Sequence, residues 1–311
     1  MRIVSIGELL WDVFGNDEFL GGAPVNFCVH AERLHDSALI LTAVGSDDRG
    51  RRALVRLQAL GLTTELVQSA GALSTGTALV QKAALGNGKF TIDRPAAFDS
   101  IELDNVLLTR IQSMQPDWFY FGTLAMTNPR TESILLEMVQ KSPRTRRFYD
   151  INLREGHWTL ALVERLSGIA TVLKLNEMEA EQLAALTTPD VPFELENFCR
   201  HWAETFRILT ICITLGGAGC AALHEGHFER HPGYEVQVAD TVGAGDSFAA
   251  AFFHQFDAGW PIDRVAAFAN AVGALVASRD GATPSWDIEE CHGLMTGTKK
   301  LNRTETNPRG A

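Results

Sequence analysis

Short apolar runs of strand length recur along this chain, separated by segments whose apolar residues fall at helical spacing. Residues 2–6 and 38–44 are such runs. Residues 25–34 between them carry a helical pattern, and residues 50–60 carry another. After an interruption the rhythm returns. A helix is expected from residue 104 to about 114, a strand at 117–121, a helix at 129–141, then strands at 146–151, 172–175 and 209–214. Strand–helix alternation of this kind predicts a parallel sheet with right-handed crossovers and helices on both faces. It also says where to look for a site, because ligands of open parallel sheets gather at the carboxyl ends of the strands.

The interruption, residues 64–98, has a different pattern. Residues 75–82 and 89–93 read as strands flanking Gly86-Asn87-Gly88, a turn sequence. A hairpin inserted into an α/β domain has few places to bury its apolar face. It either covers a site or pairs with another chain.

The stretch Asp240-Thr241-Val242-Gly243-Ala244-Gly245-Asp246-Ser247-Phe248 precedes an alanine-rich run, 248–256, that reads as a helix. Small residues before a helix let backbone N–H groups converge, and the helix N-terminus adds partial positive charge. Asp246 stands beside that anion hole, placed to take a proton from a hydroxyl. Phosphoryl transfer from a nucleotide to an alcohol uses this combination. A tight glycine turn with Asp246 as a helix-capping acid is the plainer reading of the same residues.

Other positions carry the same two-sided reading. Gly21-Gly22 permits close approach of backbone to a ligand, and Pro24 suits a first helical turn. Asn26 near that start either caps locally or uses its amide as donor and acceptor for a sugar. Asp12, polar among apolar neighbours, caps a turn or serves a site. Arg154, two residues beyond Asn152 and just past a strand end, meets a phosphoryl group or sugar oxygens, or forms a surface salt bridge. Asn176 and Glu179 share one face of a first helical turn. They either begin an ordinary helix or hold a hydrated Mg²⁺. Gly216-Gly217-Ala218-Gly219 is weak evidence alone and usually means a hairpin turn. No G-x-x-x-x-G-K-[ST] occurs, so this is no P-loop chain. Small residues along 264–278 (Ala267, Ala271, Gly273) permit close approach of an adenine or another helix, with Asn270 within reach of the former.

The balance of 27 Lys+Arg against 38 Asp+Glu gives a net charge of −11. An acidic chain is a poor binder of nucleic acid or anionic membranes, so an anionic substrate needs a local positive site. Hydrophobic content of 46% suffices for a sizeable core. Cys28, Cys199, Cys212, Cys220 and Cys291 are scattered and form no C-x-x-C pair, which suggests reduced thiols in a cytoplasmic enzyme. No leader and no bilayer-spanning run is read.

Residues 240–246 resemble the C-terminal signature of the PfkB, or ribokinase-like, carbohydrate kinases. Gly21-Gly22-Ala23-Pro24-Val25-Asn26 resembles the same family's N-terminal signature. Within the family, residues 7–12 and 150–154 look most like the fructokinase branch, and the resemblance extends to about Ser285. It implies a ribokinase-like three-layer α/β/α fold with a mostly parallel sheet. A single kinase domain would span 1–295, with lid strands from about 12–20 and 64–98 and a mobile tail at 296–311. It implies ATP and Mg²⁺, with Asp246 as base, residues 243–245 as the anion hole and Arg154 assisting. Asp12 would bind sugar hydroxyls alongside Gly21, Gly22, Asn26 and Asn152. Phe90 or Phe98 would face the sugar or merely pack the lid, and lids of two subunits clasp in many members. Thr214, Gly216 and Gly219 match the nucleotide-phosphate loop, and Asn176 and Glu179 the magnesium pair. Asp240, Val242, Gly281 and Ser285 match a K⁺ site, the middle two through carbonyls. Fructose is the leading substrate and 2-keto-3-deoxygluconate the nearest rival. A catalytically silent sugar- or nucleotide-binding regulator is the alternative of a different class.

Overall fold

The computed structural model describes residues 1–81 and 89–297, with side chains at 80, 81, 89 and 90 not described. The expected turn at Gly86-Asn87-Gly88, the side chain of Phe90 and the tail beyond 297 lie outside the described residues.

Two sheets form. The strands are β1 (Arg2–Ile6), β2 (Leu10–Phe14), β3 (Asp17–Gly21), β4 (Ser37–Val44), β5 (Val67–Ser69), β6 (Gly76–Gln81) and β7 (Lys89–Ile92). They continue with β8 (Trp118–Gly122), β9 (Arg146–Asp150), β10 (Val172–Asn176), β11 (Thr210–Thr214), β12 (Cys220–His224) and β13 (His227–His231). The large sheet has nine strands in the order β13-β12-β11-β10-β9-β8-β1-β4-β5. Pairing is parallel from β11 to β5, and the β12–β13 hairpin closes one edge antiparallel. The small sheet runs β3-β2-β6-β7. The segment from 64 to 98 is therefore shared out. β5 extends the large sheet, β6 and β7 join the small one, and Ala97–Ser100 is a 3-10 turn.

Strand side chains alternate between faces, and this divides the core in two. Trp118, Tyr120, Phe148 and Val172 pack in one layer with helices Ala23–Arg33, Ala244–Asp257 and Ile262–Ala277. Phe119, Phe121, Tyr149 and Leu173 pack in the other with helices Pro129–Lys141, Glu177–Thr187 and Leu195–Phe206. This is the three-layer α/β/α arrangement. Leu10, Ala78 and Ile92 of the small sheet form a separate apolar cluster with Phe98 and Leu124.

All five cysteines are buried and unbridged. Among the described residues no helix is long and apolar enough to cross a membrane.

Candidate active site

The helix after the glycine turn begins at Ala244, four residues before the apolar run that signals it in sequence. Gly243 is its N-cap, with φ of 77°. A Cβ there would also collide with the backbone of Ala282, so both conformation and space require glycine. The first helical hydrogen bond is donated by Ser247 to Gly243 O (2.8 Å). The amides of Gly245 and Asp246 precede it and have no intrahelical acceptor. Asp246 does not cap the helix, which has no side-chain cap. Its carboxylate instead accepts a hydrogen bond from Asn26 Nδ2 at 2.8 Å, across 220 positions of sequence. Pro24 opens the helix that carries Asn26.

Around this contact lies a cavity of about 300 Å³, lined by Glu8, Asp12, Gly22, Asn26, Asn152, Arg154, Lys174, Asn176, Thr214 and residues 241–243, 245 and 246. Leu10, Ala78 and Ile92 of the small sheet and Leu124 complete one wall. Gly21 leaves space for the Asp12 carboxylate, which a Cβ would strike. Asn152 adopts a left-handed backbone, φ 44°, and accepts from Arg154 Nη1 at 2.7 Å.

The cavity is crowded with acids. Burial pushes Glu8 up to about 7, with Asp246 adding to the rise, more than its own backbone amide, Arg154 and the Ala23 amide offset. Burial likewise pushes Asp12 to about 6, with Arg154 opposing and Asp246 adding to the rise. Asp246 is raised by desolvation and then by Asp150, against Lys174, Asn26 and Arg154. Glu8 Oε2 and Asn26 Oδ1 are buried with no hydrogen-bond partner among the described residues.

A second cavity of about 270 Å³ adjoins the first, sharing Thr214, Thr241 and Gly245. Gly216 and Gly219, in the turn between antiparallel β11 and β12, line it with Phe248, Asn270 and Gly273. The glycine cluster is thus both a hairpin turn and a cavity wall. Asn270 Nδ2 lies 3.0 Å from His231 Nδ1. A further cavity, about 370 Å³, lies at the opposite ends of β1 and β4. It is lined by Arg2, Ile3, Val4, Ser37, Leu39 and Met114 among others and faces none of this chemistry.

Two expected site residues stand elsewhere. Phe98 is fully buried against Gly76 beneath the small sheet, absent from the cavity wall, so it packs the sheet rather than facing a ligand. Glu179 is also buried and off the wall. Its Oε2 accepts the amide of Asn176 (2.8 Å) and its Oε1 the amide of Leu153 (2.7 Å), so its carboxylate braces backbone. Asn176 returns the capping box through Oδ1 to Glu179 N (2.9 Å) and remains at the cavity edge. Glu8 and Lys174 are lining residues that sequence reasoning missed. Glu8 stood in the quoted 7–12 motif, and Lys174, a lone charge in an apolar strand, was the available signal.

Asp240 Oδ1 accepts from Val242 N (3.0 Å) and Oδ2 from Gly281 N (3.2 Å), tying the glycine turn to the 281–285 loop. The carbonyls of Ala282, Thr283 and Pro284 are held by His30 and Arg33. Those of Val242 and Gly281 accept no hydrogen bond among the described residues. Asp240, Val242, Gly281 and the exposed Ser285, the residues expected at a K⁺ site, thus stand on two segments that are tied together here.

Comparison with known proteins agrees with this geometry. The pfkB family carbohydrate kinase model matches residues 3–289. Fructokinase-1 of Oryza sativa subsp. japonica is 28% identical over 287 residues, covering 86% of this chain and 85% of that protein. The crystal structure of fructokinase with bound ATP from Xylella fastidiosa superposes with a TM-score of 0.81 at 22% identity, over 95% of this chain and 98% of that one. That of 2-dehydro-3-deoxygluconokinase from Thermotoga maritima gives 0.82 at 21%, over 96% and 100%. With both signatures meeting at one hydrogen bond and the family model spanning nearly its whole length, the chain belongs to the pfkB family of carbohydrate kinases.

Proposed function

We propose that this carbohydrate kinase transfers the γ-phosphoryl group of ATP to a primary hydroxyl of a neutral sugar, with fructose as substrate and fructose 6-phosphate as product. The observation that carries the reading is the Asn26–Asp246 contact at the join of the two cavities. The sugar occupies the first cavity and the nucleotide the second. Asp246 takes the proton as the sugar oxygen attacks phosphorus, and the bond to ADP breaks with its electron pair leaving on ADP. Amides of Gly245 and Asp246 carry charge on the transferring group.

Among the described residues no three acids, histidines or cysteines cluster as metal ligands. Mg²⁺ therefore suits this site as a partner of the phosphates, with most ligands from phosphate and water and Asn176 at its edge. There it would lower the charge of the phosphates.

The charge of the sugar cavity supports fructose over 2-keto-3-deoxygluconate. Glu8, Asp12 and Asp246 line it. Lys174 is paired with Asp150 at the turn side of the cavity, and Arg154 already donates to Asn152 and Leu153 O. A substrate carboxylate would meet three acids and two cations that are each already partly committed. The relatives named fructokinase point the same way. An ADP-release screen over hexoses, ketoses, 2-keto-3-deoxygluconate and nucleosides tests this. Fructose should show the highest kcat/KM, and a clear preference for the sugar acid overturns the assignment. Sugar affinity without ADP release would identify a silent binder instead.

A further inference from the structure

Strands β8, β9 and β10 lie side by side, and the parallel register sets Lys174 directly opposite Asp150. Both lie on the sheet face that packs against helix Ala244–Asp257, since Phe148 and Val172, two residues before each, belong to that core layer. Lys174 Nζ donates to Asp150 Oδ1 and Oδ2 at 3.1 and 3.0 Å, and the Tyr120 hydroxyl donates to Oδ2 at 3.1 Å. The two charged side chains are 8% and 1% exposed. An ion pair this deep is seldom worth its desolvation as a stabilising device. Its position suggests another use.

An ammonium has three donors. Two are directed to Asp150, and no acceptor for the third occurs among the described residues. The nitrogen stands 3.3 Å from where a Cβ on Gly245 would lie, so the glycine lets it close on the turn. Lys174 also lines the cavity that holds Asp246. Burial opposes its charge, but Asp150, Glu179 and Asp246 outweigh burial and hold the ammonium protonated.

Building on the kinase reading, we propose that Lys174 is a further catalytic residue, whose ammonium, clamped by Asp150 and Tyr120 behind Gly245, contacts the transferring phosphoryl group. Transfer brings an anionic phosphoryl group against an anionic base. Backbone amides offer only partial charge there, and Arg154 is tied to the Asn152 loop. A fixed full charge beside Gly245 answers that repulsion without reorganising during the reaction. No bond to Lys174 forms or breaks. The proton goes to Asp246, the phosphoryl group to the sugar oxygen, and ADP leaves with its electron pair.

The test uses Lys174→Met, Lys174→Arg and the double variant Lys174→Met/Asp150→Asn, with ATP, Mg²⁺ and the best sugar of the screen. For Lys174→Met, kcat should fall about 10²–10³-fold, the scale of one lost oxyanion donor, with calorimetric sugar affinity nearly unchanged. Lys174→Arg keeps the charge and should recover part of the rate. The single Met variant strands Asp150 and should lower Tm, whereas the double variant should regain Tm and stay slow. A double variant that regains kcat together with Tm overturns the proposal, because Lys174 would then be only a counter-ion. So does a folded Lys174→Met with near-normal kcat. A wild-type protein that releases no ADP with any sugar overturns the kinase reading itself, and is told apart by failing before any substitution.

Discussion

Asp246 combines two properties that a general base needs, a partner that orients it and an environment that makes it basic. Asn26 holds one oxygen at 2.8 Å, while burial and the nearby Asp150 raise its proton affinity. Asp246→Asn keeps shape and removes the acceptor, so kcat should fall about 10²–10⁴-fold, with sugar binding and Tm nearly unchanged. Steady-state kinetics, calorimetry and a melting curve on this variant check it, and a folded variant with near-normal kcat refutes the base assignment. Glu8 and Asp12 give a separate signal. Their folded-state values, about 7 and about 6, lie above those of a free carboxylate. Their contribution to stability is complete below the ordinary carboxylate range and is lost as pH rises through those raised values. The ligand-free protein should therefore lose Tm between about pH 5 and pH 8. Glu8→Gln, which cannot ionise, should reduce that loss and be the more stable protein at the alkaline end, by about 1–3 kcal/mol. Denaturant melts of both proteins across that range decide, and parallel pH curves sink the assignment. Asp246, Asn26 and Arg154 were legible because each stands in a run whose residue types have few other uses. Lys174 was not, because its role depends on the register that sets it opposite Asp150, and register is not written in a single strand.

At the scale of elements, the parallel strands of the large sheet other than the short edge strand β5 were readable as apolar runs, and their boundaries in the structure fall within a residue or two. The β12–β13 hairpin was harder to see. Its sequence, from Cys220 to His231, alternates too weakly to announce an edge pair, and β13 is largely solvated. The apolar run from Phe248 marks only part of helix Ala244–Asp257, whose first turn carries Asp246 as expected but lacks the apolar spacing used to find helices. Glu179 shows the converse. Its spacing from Asn176 suggested a pair for a hydrated Mg²⁺, and the same spacing makes a capping box whose Glu179 carboxylate also accepts the Leu153 amide. The glycine turn rests on the 281–285 loop through Asp240, and the carbonyls of Val242 and Gly281 accept no hydrogen bond among the described residues. An ion there would brace the loop that presents the amides. We propose that K⁺ raises kcat over Na⁺ or a bulky organic cation at equal ionic strength. Equal rates in the three salts would remove the ion from the scheme.

The whole molecule is a nine-stranded platform beside a four-stranded sheet, and the two differ in how well they bury themselves. Strands β1, β8 and β10 lie within the platform, with nearly every residue covered. The small sheet meets the cavity through Leu10, Asp12, Ala78 and Ile92, yet leaves Phe19 and Leu79 exposed. We propose that this sheet is a lid, which either closes on the sugar or is clasped by the sheet of a second copy. Asp12 gives it a reason to close, since its half-buried carboxylate reaches substrate hydroxyls only while β2 lies over the cavity. Closure would also exclude water and limit wasteful ATP hydrolysis. Amide exchange of residues 76–79 and 92 should slow when fructose is added to a monomer, or be slow from the start in a dimer. The platform strands should exchange slowly throughout and serve as the internal reference. If the small sheet exchanges fast with and without sugar, in a protein that turns over normally, it covers nothing during catalysis. The sugar would then be held by the platform residues Asn26, Asn152 and Arg154 alone.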